Sequence, residues 1–326
     1  ITKDHQYTTQ GATTAYAEIK DNVLALDELL GSPEIAALQD SIRQEQMLTI
    51  AASWSSALLA NPYVVISGTT YDVEIINGIN YLTQHQGIAR GDKVGYIYDE
   101  GEFGENGLAG GRAAAKEYGL QLVEQKVPAT AADMTAQITA LKAAGVRAVV
   151  LTTSPPQTAS AVGVAAATGL AVPFLANFPS FSPALLTTAA GPALQKSLLI
   201  ATSLAPFTSD VPGVGDVRAK FLARYPDQPK LNFAFYGYAQ GQIMYRILDA
   251  ACKNNDLSRA GLLTAFQSLH SVDSDGLIAT LDFSRPGGIP ARQVYIVKPD
   301  ASVAGGLTLV QNLFAAPLAT AYQPAS

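Results

Sequence analysis

Apolar and polar positions along this chain fall into short β-prone runs, each followed by a longer stretch with helical spacing. The central unit shows the rhythm most clearly. Residues 94–98 are an apolar, β-prone run, and 99–104 form an acidic turn broken by glycine. Residues 105–118 are rich in alanine and helical in pattern, with Gly119 where a helix C′ residue belongs. A second strand follows at 120–123. The sum is a βαβ crossover, which implies a parallel sheet with ligands at the carboxyl ends of its strands.

The same alternation extends on both sides. Upstream, the pattern predicts a helix over 9–20, a strand over 23–26 and a helix over 34–45, with Pro33 at its first position and Ser32 as its N-cap. Strands follow at 47–51 and 63–66, separated by the polar loop 52–56. A helix from Thr70 to about His85 carries Val73, Ile76, Ile79 and Leu82 as an apolar stripe. Downstream, helices are predicted over 134–144 and 157–168, with strands at 148–151, 173–176 and 197–203. Residues 205–215 have linker composition, and helices at 217–225, 234–254 and 258–269 follow. The end is β-like over 277–283, 294–297 and 307–313, and the last dozen residues read as a tail.

Composition narrows the function classes. At 326 residues, 15% charged and 48% hydrophobic, the chain can fill two cores and does not read as disordered. A net charge of −6 with no basic block excludes nucleic acid and anionic membrane as natural partners. No apolar run approaches the ~18 residues of a membrane span. No signal peptide is visible, which leaves a cytosolic protein or one whose leader has been removed. The single Cys252 reads as a buried free thiol. His5, His85 and His270 are too scattered to suggest a metal site, and no cofactor motif is present.

Four segments, in this order and spacing, resemble the type I periplasmic binding proteins of the leucine/isoleucine/valine family, solute receptors of ABC importers. They are Leu30-Gly-Ser-Pro33, Ile50-Ala-Ala-Ser-Trp-Ser-Ser56, Tyr98-Asp-Glu-Gly-Glu-Phe-Gly104 and Asn232-Phe-Ala-Phe-Tyr-Gly-Tyr238. The resemblance implies an α/β fold of two doubly wound parallel-sheet lobes joined by a three-strand hinge. The crossings fall near 67–68, 203–205 and 282–283. One lobe takes residues 1–67 plus 205–282, and the other takes 68–204 plus 283–326. The family's leading strand and helix would precede Ile1. It also implies a monomeric receptor, periplasmic or a cell-surface lipoprotein, that hands a small ligand to the membrane permease of an ABC importer.

The same resemblance places Ser32, Ser53 and Ser55 at a ligand carboxylate, with Trp54 between them. A hydroxyl and backbone N–H groups at a helix N-terminus suit an anion. Phe103 would lie over the ligand from the other lobe, with Ser154, Phe178 and Tyr236 on the walls and Tyr238 beside Tyr236. Asp99, Glu100 and Glu102 read as solvated turn charges. Amino-acid binders of the family hold the ligand's ammonium with a carboxylate where this chain has Asn177-Phe178-Pro179. An enclosed ammonium without a counter-ion is costly. An aromatic or other apolar carboxylate is therefore the expected ligand, ahead of a branched-chain amino acid. A ligand-sensing domain of a regulator is a further alternative. Catalysis is not expected, because the chain has no Gly-x-Ser-x-Gly elbow, no P-loop and no histidine beside a candidate nucleophile.

Overall fold

The computed structural model describes residues 1–324. Two sheets organise it, the smaller parallel and the larger mainly so. The smaller has three strands in sequence order, β1 (Leu26–Leu30), β2 (Thr49–Ala52) and β3 (Val64–Ile66), all parallel. Helix α1 (Thr9–Ile19) precedes it, and α2 (Ser32–Gln44) connects β1 to β2. Ile35, Leu38 and Ile42 of α2 are fully buried, the i, i+3, i+7 spacing of one helix face.

The chain then enters α3 (Tyr71–His85) and the larger sheet: β4 (Lys93–Asp99), α4 (Glu102–Tyr118), β5 (Gln121–Val127), α5 (Thr135–Ala144), β6 (Ala148–Thr152), α6 (Pro155–Thr168), β7 (Phe174–Asn177), α7 (Gly191–Ser197) and β8 (Leu198–Thr202). Helices α8 (Pro212–Arg224), α9 (Phe233–Lys253) and α10 (Arg259–Ser268) follow, then the short antiparallel pair β9 (Ser271–Val272) and β10 (Leu281–Asp282). Strands β11 (Val294–Pro299) and β12 (Leu307–Phe314) complete the larger sheet. Its order is β12-β11-β8-β7-β6-β4-β5, parallel from β5 to β8 and antiparallel at β11 and β12. Strand β6 is buried at all five positions, as a strand covered by helices on both faces must be. Helix α9 covers the small sheet's other face, where Ile243 and Ile247 pack with Ile50 and Val65.

Three segments meet between the sheets. Thr69 forms a bridge with Ala291, Leu204 forms one with Ile278, and the Ala279 N–H donates to the Ser203 carbonyl at 2.9 Å. The junction thus joins the chain near residues 69, 203–204, 278–279 and 291.

The structure departs from the sequence reading in several places. The expected strand over 277–283 shrinks to Leu281–Asp282, α8 starts inside the expected linker at Pro212, and α4 starts inside the expected turn at Glu102. The first strand runs over 26–30, not 23–26, because Gly31 at φ 102° turns the chain directly into α2. Gly31 is then the N-cap, and Ser32 is the first helical residue with its hydroxyl free for other work. The terminal stretch includes α11 (Pro317–Ala321), where Ala319 is fully buried and its carbonyl accepts from the Arg292 guanidinium. Cys252 is exposed on α9 rather than buried.

Candidate functional site

A cavity of about 440 Å³ lies between the carboxyl ends of the two sheets, a volume suited to a small ligand. Three helix N-termini open into it. Gly31 and Ser32 start α2 after β1, Phe103 lies in the first turn of α4 after β4, and Ser154 with Pro155 starts α6 after β6. This convergence follows from the βα alternation itself, since every parallel strand ends where its helix begins. Other hollows exist, including a groove along the N-terminal segment and β1, but they lack this convergence.

The walls are mainly rings. Trp54 stacks on Phe178 with 6.2 Å between centroids, and Tyr236 meets Trp54 edge-on at 5.5 Å. Phe178 also leans on Phe233 at 5.2 Å, and Phe103 meets Tyr71 edge-on at 5.0 Å. All six line the cavity, together with Leu30, Pro155 and Pro179. The Trp54–Phe178 contact joins the loop after β2 to the loop after β7, so it spans the two sheets. The Tyr236 hydroxyl donates to the Ala51 carbonyl at 3.0 Å, which fixes that ring to β2.

On the α2 side, Ser32 Oγ and Ser53 Oγ lie 2.6 Å apart, both buried and both lining the cavity. Asp99, the last residue of β4 and only 7% exposed, lines the same cavity. Its Oδ2 accepts from the Ser154 N–H at 3.2 Å, while Oδ1 is buried without a partner. Burial raises the Asp99 carboxyl to about 6, against the opposing pull of the neighbouring Gln157 side chain and of the Ser154 N–H. Burial likewise pushes the Tyr71 and Tyr236 hydroxyls up, so both stay neutral donors.

Of the residues expected at a ligand, Ser32, Ser53, Trp54, Phe103, Ser154, Phe178 and Tyr236 line this one cavity. Ser55 does not. It is buried beside the cavity, and its hydroxyl donates to Glu102 Oε1 at 2.5 Å, tying the loop after β2 to the start of α4. Tyr238 also lies elsewhere, against α8, because residues two apart on a helix face different ways. The expectation of solvated turn charges fails for Asp99, which is buried in the wall. Sequence reasoning missed Tyr7, Glu28, Tyr71 and Phe233 as lining residues. Only Phe233 carried a signal, lying inside the quoted segment 232–238.

A family model described as periplasmic binding protein matches residues 1–305. The chain belongs to the periplasmic binding protein family. Among solved structures it is similar to a fatty acid ABC transporter substrate-binding protein from Thermomonospora curvata, with 37% identity and a TM-score of 0.95. That match covers 99% of this chain and 83% of the other. It shares its fold with a branched chain amino acid ABC transporter protein from Thermus thermophilus with bound valine, at 22% identity and TM-score 0.83, covering 98% and 85% of the two chains. A leucine binding protein from Thermotoga maritima matches at 17% identity and TM-score 0.80, covering 96% and 86%. No curated protein sequence matches. Periplasmic binding proteins of this fold are the extracytoplasmic solute-binding receptors of ABC transporters and work with membrane permeases. No helix among the described residues is long and apolar enough to cross a membrane.

Proposed function

We propose that this receptor binds a small carboxylic acid with an apolar or aromatic body and delivers it to the permease of an ABC importer, without catalysing a reaction. The observation that carries this reading is the cleft's composition. Seven rings, Tyr7 among them, line its walls, and the paired Ser32 and Ser53 hydroxyls at the α2 N-terminus form its polar end. That end suits a carboxylate, because unpaired helix N–H groups and hydroxyls both donate. The likeness to a fatty acid receptor at 37% identity points the same way. The lobes divide as residues 1–67 with 205–282 and 68–204 with 283 onward, with α8 leaning on the larger sheet's core through Val214 and Val217. The receptor works as a monomer, either periplasmic or held at the cell surface as a lipoprotein.

One observation favours a second reading, a branched-chain amino acid. Asp99 places an acid in the cleft from β4, although Phe178 supplies none. Calorimetry with leucine, octanoate and benzoate at pH 6 separates the two readings. Octanoate or benzoate binding tighter than leucine is the expected result, and tight leucine binding with no acid binding overturns the proposal.

A further inference from the structure

The cleft's charge sits awkwardly with a bare carboxylate. Among the described residues, no lysine, arginine or histidine lines it, while Asp99 and Glu28 do. Asp99 cannot be dismissed as a distant charge. Tyr7 lines the cleft with Asp99, and its ring packs close to Gly31 at the α2 N-terminus. Asp99 therefore shares one enclosed space with the end where the ligand's acid would rest. An unpaired carboxylate that enters a buried site beside another carboxylate meets strong repulsion, and two such groups commonly share a proton instead.

We propose that the cleft takes its acid ligand together with one proton, held between the ligand's carboxylate and the Asp99 carboxyl. This rests on the reading of the ligand as an acid. The proton comes from solvent. The Asp99 O–H becomes the donor and a ligand oxygen the acceptor, with no covalent change. The geometry supplies the place: Asp99 Oδ1 is buried with no partner, whereas Oδ2 is engaged by the Ser154 N–H. The titratable groups around Asp99 offer no competing cation. Tyr7 comes from the N-terminal segment, Glu28 from β1, Glu34 from α2, Tyr71 from α3, Glu102 from α4 and Tyr236 from α9. Lys126 on β5 is occupied outside the cleft by Glu105 at 3.2 Å and Glu100 at 3.9 Å.

In the free protein Asp99 ionises around pH 6, and the complex keeps it protonated to higher pH. Octanoate affinity should then fall about tenfold for each pH unit above 6, roughly a hundredfold by pH 8. Calorimetry in buffers of different ionisation enthalpy should report uptake of about one proton at pH 7.5. Asp99→Asn should bind octanoate at pH 8 about as tightly as the natural protein does at pH 6, with a flat profile between. Octanoate binding that is flat from pH 6 to 8, or that takes up no proton, overturns the shared proton and leaves the acid reading standing. No octanoate or benzoate binding at any pH from 5 to 8 overturns both. The proton-uptake measurement needs only the natural protein, so it decides the matter even if Asp99→Asn folds poorly.

Discussion

Ser32 Oγ and Ser53 Oγ form a 2.6 Å hydrogen bond between the start of α2 and the loop after β2, with both residues buried at the polar end of the cleft. One hydroxyl donates to the other and the acceptor's own proton stays free for a ligand anion, so the two act as one unit. Ser32→Ala or Ser53→Ala should each weaken octanoate binding about tenfold, near 1.4 kcal/mol. The double variant should lose clearly less than the sum of the two, with a coupling of at least about 0.5 kcal/mol. Calorimetry on the four proteins measures this, and strict additivity would show that the hydroxyls do not cooperate.

Trp54 is the only tryptophan in the chain, and its indole stacks on Phe178 across the cleft. A ligand seated between these walls should change the indole's emission, which gives a direct binding assay. Phe178→Ala removes the stack and one wall. Aromatic pairs contribute about 0.5–1.5 kcal/mol beyond their buried area, so affinity should fall about two- to tenfold. Emission that octanoate leaves unchanged in the natural protein, while calorimetry shows it bound, would place the ligand away from Trp54.

Glu74 offers a test at the junction between the sheets. It lies on α3, fully buried, where its carboxylate accepts from the Phe178 N–H at 3.4 Å, with Oε1 unpartnered. Burial raises this carboxyl well above the ordinary range, against the opposing pull of the Phe178 and Ser203 backbone N–H groups. The folded state therefore binds a proton that the unfolded chain releases at lower pH. Stability should fall as pH rises from the unfolded value of about 4.5 toward the folded one, and level off above it. Glu74→Gln removes this contribution and should flatten the profile between pH 5 and 8. Denaturant melts across that range provide the check, and an unchanged slope would show that Glu74 titrates alike in both states.

The βα rhythm was legible because buried parallel strands and amphipathic helices leave different periods of apolar residues. Ser32, Trp54 and Phe103 were placed at the cleft by the resemblance to the family, carried by segments that fall at strand ends and helix starts. Asp99 was misread because Asp99-Glu-Gly-Glu looks locally like a solvated turn. Its burial depends on Ser154, 55 positions away, and on the packing of α4. Ser32 was misread by one position, because only the positive φ of Gly31 shows where α2 begins. The Ala- and Pro-rich end concealed α11, whose Ala319 earns burial against α3 through tertiary contact rather than through any local pattern.

Gly104 explains why the turn Glu102-Phe-Gly104 takes the form it does. A Cβ built on it would overlap the Asp99 carbonyl carbon and oxygen, so α4 can approach the end of β4 only with glycine here. Helix propensity alone argues the other way, since alanine in a helix is favoured over glycine by about 0.8–1 kcal/mol. Overpacking against fixed backbone costs about 1–3 kcal/mol, so the clash should win and Gly104→Ala should lower stability. It should also weaken octanoate binding, because Asp99 and Phe103 flank the displaced backbone. Gly237 on α9 is the contrast: its added Cβ meets nothing within 4 Å. Gly237→Ala should therefore raise stability by about 0.5–1 kcal/mol. Denaturant midpoints of the two variants should move in opposite directions, and stabilisation by Gly104→Ala would show that α4 does not bear on Asp99 as described.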